Sequence, residues 1–281
     1  MRDSRFITAI LTMFAISLLT TGCATRSAHH ATSVVQYLYP KDTKHVETAT
    51  IPLLSLPLRV GVAFVPEDGG YQAHLPLSEK YKNDLMKEVS VEFKQYPFVK
   101  SIEIIPSPYL MPKGSFTNLD QLRTMYGVDV IALLSYDQVQ HTDEGLLSLS
   151  YWTLIGAYII RGEKNDTSTM LDAAVYHIPS RKLLFRAPGT SRIKASATPV
   201  NLREQLRKDS EAGFKEAAVM LTANLKEQLE QFKVKVKESP QEYKIEHKAG
   251  YTGGGSLDPV SLGLLAAFGG ALFWSGRKRK G

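Results

Sequence analysis

One cysteine and seven histidines leave this chain few places for nucleophilic or metal chemistry. The cysteine, Cys23, stands behind an apolar run from Phe6 to Leu19, which Arg2 and Arg5 lead and Thr20-Thr21-Gly22 closes. That is the layout of a secretory signal over residues 1–22. A solitary cysteine in this position has no partner for an internal disulfide, and its thiol is free to be acylated. A buried structural cysteine is the bland alternative, and the position argues against it. The histidines are scattered. His29-His30 is an imidazole pair without acidic or cysteine partners, which reads as solvated rather than as a metal site. His141-Thr142-Asp143-Glu144 sets an imidazole beside two carboxylates, in what reads as a loop after a strand. An acid/base pair needs that proximity, but so does an ordinary capped turn. Glu67-Asp68 follows a strand end, the side on which α/β sites form; Gly69-Gly70 makes a turn the plainer reading. No G-x-S-x-G, H-E-x-x-H, P-loop or G-x-G-x-x-G pattern occurs. No catalytic residue, metal or cofactor is therefore assigned, and the expectation is that the chain is not an enzyme.

The other end carries a second set of signals. Gly253-Gly254-Gly255-Ser256 leads into a segment, Val260 to Ser275, with no charged residue. These sixteen residues would span about 24 Å as a helix, and Ser256 to Gly276 covers the rest of a bilayer core of roughly 30 Å. Arg277-Lys278-Arg279-Lys280 forms a membrane stop that holds its end in the cytoplasm, so the folded part lies outside. Glycines beside such a segment lower the cost of unwinding the backbone for an intramembrane protease; a plain anchor on a flexible stalk is the alternative. The two ends also hold most of the charge. The four basic residues less Asp258 give the tail +3, Arg2 and Arg5 less Asp3 give the first 22 residues +1, and so +2 of the overall +6 remains between them. No basic patch remains to argue for nucleic acid. Arg181, Lys182, Arg186 and Arg192 could line a hairpin face that meets an anionic partner, with a solvated face as the default.

Leu19-Thr20-Thr21-Gly22-Cys23 resembles a bacterial lipobox, with Thr20 where leucine is usual. The resemblance implies action by a lipoprotein acyltransferase and signal peptidase II, with Cys23 as the lipid-bearing mature N-terminus. Ala24 resembles the outer-membrane sorting pattern. Thr252 to Ser256, the small-residue apolar segment and the basic terminus look like the GlyGly-CTERM sorting signal of Gram-negative bacteria. That likeness implies cleavage within Gly253–Ser256 by a rhombosortase-type intramembrane protease. The whole chain looks like the rhombotail lipoproteins, which join these two ends; Leu183-Leu184-Phe185-Arg186-Ala187-Pro188-Gly189 adds to the likeness.

The elements between the ends read as one small α/β (α+β) domain over residues 58–237. A mixed sheet of about five to six strands and two to three helices is expected. Leu58 to Val65 is an apolar strand, and Ser78 caps a helix from Glu79 to Gln95 with Tyr81, Leu85, Val89 and Phe93 on its buried stripe. Val99 to Ile105 is the next strand. Thr117 or Asn118 caps a short helix that Gly127 ends, and Val128 to Tyr136 is a buried strand. Leu171 to Ile178 and Lys182 to Arg186 form a hairpin around Pro179-Ser180-Arg181, after a polar loop at 162–166 and before a further strand at Ser191–Ala197. A long C-terminal helix opens at Asn201, with Glu204 as its capping-box partner. Leu146 to Ile160 fits strand and helix patterns alike; core is its bland reading and a membrane- or partner-facing patch the other. Residues 23–57 read as a lipidated tether, 238–255 as a flexible stalk and 256–281 as the cleaved transmembrane tail. The function expected is a binding or assembly module of the envelope. Its precursor sits in the inner membrane facing the periplasm, and the mature form contacts membrane lipid and a protein partner at the outer membrane or cell surface. The alternatives are an envelope hydrolase or lipid-modifying enzyme, or a secretion accessory retained in the inner membrane.

Overall fold

The structure is a computed structural model that describes residues 25–40, 49–66, 78–144, 163–198, 200–248 and 251. Its centre is a mixed six-stranded sheet. The strands are β1 (Thr25–Ala31), β3 (Leu58–Phe64), β4 (Val99–Ile104), β5 (Val130–Glu144), β6 (Glu163–His177) and β7 (Lys182–Ala197). The order is β4-β3-β5-β6-β7, with β1 paired to β5 beyond the end of β3. A separate parallel pair joins β2 (Leu53–Leu56) to β8 (Lys244–His247). The helices are α1 (Val34–Leu38), α2 (Glu79–Lys94), α3 (Ser115–Tyr126) and α4 (Leu202–Glu238). The fold class is thus α/β with a long C-terminal helix.

Two apolar clusters sandwich one half of the sheet. On one face Phe64, Leu134, Leu171 and Ala187 pack against Leu85, Met86 and Val89 of α2 and Phe214, Ala217, Leu221 and Leu225 of α4. On the other, Ala63, Ile131, Leu133 and Tyr176 pack against Tyr37 and Leu38 of α1 and Phe116, Leu119 and Leu122 of α3. Residues 130–136 of β5 are buried throughout, which explains their unbroken apolar run: both faces of this strand are covered. Ser78 caps α2 by accepting from the Lys80 amide at 3.3 Å. Gly127 ends α3 in the left-handed region at φ 65°, with its N–H on the Arg123 carbonyl.

Several sequence expectations are corrected. Strand β5 runs on to Glu144, so His141 to Glu144 are strand rather than loop. Strand β6 starts at Glu163, so the polar stretch at 163–166 is strand as well, held between β5 and β7. Strand β7 is continuous through Pro188-Gly189; β7 is an edge, where a missing N–H breaks no ladder bond that the sheet needs. Helix α3 starts at Ser115 behind Gly114. Asn118 lies inside it as a buried anchor, its Oδ1 accepting from the Tyr37 hydroxyl at 2.8 Å and the Met111 amide at 3.0 Å. Asn201 does not cap α4 with its side chain, because its Oδ1 accepts from the Thr198 amide and hydroxyl. Glu204 turns to Arg207 instead.

The tether and stalk also change. Strand β1 pairs with β5 over seven residues, and Val34, Tyr37 and Leu38 are buried. The expected tether at 23–57 is therefore part of the fold from Thr25 to Pro40 and again over β2. Within the expected stalk at 238–255, β8 pairs with β2, and Tyr243 is buried with its ring 5.4 Å from that of Phe232. Backbone pairing and one buried aromatic hold residues that composition alone marks as linker.

The tightest approach in the packing is α4 on β7. A Cβ added at Gly189 would overlap the Ala217 carbonyl oxygen and come within 2.6 Å of the Leu221 amide nitrogen, both backbone atoms of a helix. Gly189→Ala must push α4 off the sheet, and a loss of about 3 kcal/mol is expected in urea unfolding. An unchanged midpoint would show that the helix seats elsewhere.

Candidate functional site: the chain ends and the open sheet face

Cys23, Gly253, Gly254, Gly255, Ser256, Arg277, Lys278, Arg279 and Lys280 lie outside the described residues, as do Glu67-Asp68 and Leu146 to Ile160. The strands fix where the chain approaches them. Thr25 is in register with Asp143, near the last residue of β5. Val60 is in register with Val130, the first residue of β5, and the Lys248 amide donates to the Leu56 carbonyl at 2.9 Å, four residues before Val60. The two ends of the chain thus leave the fold at opposite ends of the sheet. Thirteen residue steps of β5 separate the two registers, about 43 Å of strand.

Between these ends the sheet changes character. Beyond Tyr136 the face turned to α4 stays buried but becomes polar. The Gln138 amide donates to Thr169 Oγ1 at 2.7 Å and its Oε1 accepts from Ser210 Oγ at 2.6 Å. The Gln140 amide donates to Thr167 Oγ1 at 3.2 Å and to the Leu206 carbonyl at 2.9 Å. Ser191 Oγ donates to the Gly213 carbonyl at 2.7 Å. The sequence reading missed this layer; its one signal was the alternation Gln138, Gln140, Thr142 against Asn165, Thr167, Thr169. Both amide atoms of Asn165 and one oxygen of Asp209 are buried with no hydrogen-bond partner among the described residues. The other Asp209 oxygen accepts from Gln205 at 2.8 Å. Burial raises the Asp209 carboxyl above the ordinary carboxylate range, against the pull of that hydrogen bond.

Among the described residues no helix covers the opposite face of the same half. Lys164, Ser168, Met170, Arg186, Thr190, Arg192 and Lys194 are exposed there. His141 stands directly opposite Asp166. Arg192 Nε sits 3.0 Å from both Asp166 oxygens. Its hydrogen bonds hold that carboxyl below the usual range, with Lys194 and His141 adding to the effect. Arg186 pairs with Asp172 at 2.6 Å, yet burial is the larger influence on Asp172 and raises its pKa. His29 meets Asp137 at 2.8 Å. Arg181 and Lys182, expected beside Arg186 and Arg192, reach Asp120 and Glu242 at the other end of β7. Arg186 and Arg192 thus lie about 20 Å apart along β7, each on its own carboxylate, while Arg181 and Lys182 turn to Asp120 and Glu242. Arg181, Lys182, Arg186 and Arg192 each have a carboxylate partner. A small crevice elsewhere, between Ser33, Gln36, Tyr37, Pro66, Pro112 and Lys113, contains none of these residues. Among the described residues no group of three or more His, Cys, Asp or Glu side chains could hold a metal ion.

No protein-family model and no curated protein matches this chain. Solved structures with a similar course include two crystal forms of a PelC dodecamer from Paraburkholderia phytofirmans. They are 8% and 9% identical, with TM-scores of 0.29 and 0.30, and they cover 72% and 70% of this chain and 96% of that one. A neuraminyllactose-binding hemagglutinin homolog from Helicobacter pylori is 11% identical at a TM-score of 0.36, covering 68% of this chain and 97% of that one. Likenesses of this size bear on neither function nor partners.

The buried groups set a pH dependence of stability. His177 is buried, its Nδ1 accepting from the Ser180 amide at 3.3 Å, and burial depresses its pKa below the ordinary value. The folded chain then holds fewer protons than the unfolded one, so this contribution is full above the ordinary imidazole value of about 6.5 and is lost as pH falls from there through the depressed folded value. Asp209 has the opposite sign: its stabilising contribution is full below the ordinary carboxylate pKa and is lost as pH rises through the raised value. In urea titrations His177→Gln should flatten the slope between pH 7 and 5. Asp209→Asn should gain on the order of 1 kcal/mol at neutral pH. A variant Asp209→Asn that is less stable at pH 7 would mean that the carboxylate is partnered.

Proposed function

We propose that this chain is a non-enzymatic envelope lipoprotein of the rhombotail type. It is acylated on Cys23, cut within Gly253–Ser256 and presented at the outer membrane or cell surface as a binding or assembly module. The observation that carries this reading is the placement of the chain's two exits at opposite ends of the sheet, each next to one of the sequence signals. Cys23 lies two residues before β1, a reach of at most about 7 Å. The glycine run begins five residues after Lys248, the last residue tied to β2.

The precursor has two attachments. An acyl chain on Cys23 is one, and the segment Val260 to Ser275 is the other; a spanning helix is effectively irreversible where a lipid chain is not. Extraction of acyl chains cannot carry a spanning helix along, so removal of the tail precedes release from the inner membrane. From Lys248 to Val260 the chain has twelve residues, about 40 Å when fully extended and far less as a coil. A domain held at both ends therefore lies close along the bilayer, and loss of the tail lets it stand on Cys23. The face of β5, β6 and β7 turned away from α4, with its paired charges and exposed Met170, supports the reading as a binding module.

Two changes test the reading. Cys23→Ser should abolish incorporation of a fatty-acid label; unchanged labelling would refute acylation at this residue. Replacing Gly253, Gly254 and Gly255 by leucine should leave a full-length form in the inner-membrane fraction. Arrival of that variant at the outer membrane at normal size would reduce the glycines to a stalk.

A further inference from the structure

We infer that the outer edge of β7 from Arg192 to Ser196 binds an extended segment of a partner protein, which joins the sheet as a further strand and carries acidic side chains at every second position. Strand β7 is the last in the sheet order, with β6 on one side only. Its ladder with β6 runs without a shift from the pair Ala173–Ala187 to the pair Glu163–Ala197. In such a ladder the N–H and C=O of alternate residues point away from the neighbouring strand. Two hydrogen bonds fix which residues these are. The Pro188 carbonyl accepts from Asn224 Nδ2 at 2.7 Å, and the Thr190 amide donates to Met220 Sδ at 3.3 Å. Both partners belong to α4. The outward groups are therefore those of Pro188 and Thr190, and Arg192, Lys194 and Ser196 continue the set.

Helix α4 caps this edge only where it reaches it. Asn224 and Met220 stand at the edge, Gly213 lies against Thr169 and Ser191, and Ser210 and Leu206 bond to Gln138 and Gln140 of β5. The helix thus crosses the sheet obliquely, from β7 towards β5, and leaves the edge as β7 runs on to Ala197. Among the described residues no hydrogen bond from outside the sheet reaches the backbone of Arg192, Lys194 or Ser196. An edge with unpaired N–H and C=O groups is a template for another strand.

Charge selects the occupant. Arg192 and Lys194 are exposed on the face turned away from α4, and so is Lys164, whose register partner is Ser196. Arg192 is held by Asp166, while among the described residues Lys164 and Lys194 form no ion pair. Opposite charges on neighbouring strands favour pairing and like charges oppose it. An added strand therefore sets acidic residues beside Arg192 and Lys194, and apolar ones on the other face beside Ile193 and Ala195, which are half-buried. The same edge of a second copy would bring cation against cation. The inference rests on the reading as a binding module and not on the lipid or the tail.

The test titrates the full chain, in detergent, with a short fluorescent peptide that alternates glutamate and valine. The peptide should bind, and hydrogen exchange at the amides of Arg192, Lys194 and Ser196 should slow about tenfold. Lys194→Pro matches the parity of Pro188, so it removes an outward N–H and leaves the ladder with β6 intact. It should weaken binding about tenfold. The same peptide methylated on every backbone nitrogen puts that question to the unaltered chain and should not bind. Equal binding of the methylated peptide, or of one alternating lysine and valine, overturns the inference. So does protection of these three amides in the free chain. Cys23→Ser should bind the peptide as the parent does. Loss of peptide binding with the fatty-acid label intact sinks the edge site and keeps the lipid anchor; binding without any label does the reverse.

Discussion

The fifteen-residue strand β5 outruns helices α1, α2 and α3, and the rest of the structure follows from that mismatch. Over Val130 to Leu134 it has β3 and β6 at its edges and apolar clusters on both faces. From Asp137 onwards β3 has ended, β1 takes its place, and only α4 lies across the sheet. A strand that leaves its core must still pair every backbone group and give each face an environment. Strand β1 supplies the pairing, and the sequence supplies amides and hydroxyls on the covered face and paired charges on the open one.

The covered polar layer is an unusual way to seat a helix. Gln138, Gln140 and Ser191 donate to carbonyls of α4, and the Ser210 hydroxyl of α4 donates back to Gln138. Such bonds add little net stability where the alternative is water, but they cost heavily when one partner is missing. They therefore fix the position of α4 on the sheet more than they strengthen it. Glycine at 189 and 213 lets the helix backbone come close enough to be reached. The far part of α4 is held differently, by Leu221, Leu225 and Leu229 and by Phe232 between Phe185 and Tyr243.

The small pair β2–β8 ties the chain on either side of the domain to itself. It sets the last paired residue before the glycine run next to the start of β3, while β1 sets the first next to the end of β5. Attachment signals on a chain act through where the fold releases it. The two release points lie at opposite ends of a long sheet.

Much of the architecture was legible from the residues. Apolar runs at Leu58–Val65 and Val128–Tyr136 marked strands covered on both faces, and the spacing of Leu85 and Val89, or of Phe214, Leu221 and Leu225, marked helix stripes, because burial in apolar surroundings leaves a periodic trace. Ser78 and Gly127 marked helix ends for reasons local to the backbone. The elements that escaped detection were those held by partners distant in sequence. Strand β1 and the first half of β6 look like polar linker, since what makes them strands is pairing with β5. Asn201 had the right type for a cap, but a neighbouring threonine took its oxygen. The candidate site divides in the same way. Cys23, the glycine run and the basic residues at 277–280 stand out in the sequence because the chemistry expected of them is local to a few neighbouring residues. The pairing of Arg186 with Asp172 and of Arg192 with Asp166, the turning of Arg181 and Lys182 to Asp120 and Glu242, and the meeting of Thr25 with Asp143 were decided only by tertiary structure, because strand register is set by contacts between segments and leaves no mark on either segment alone.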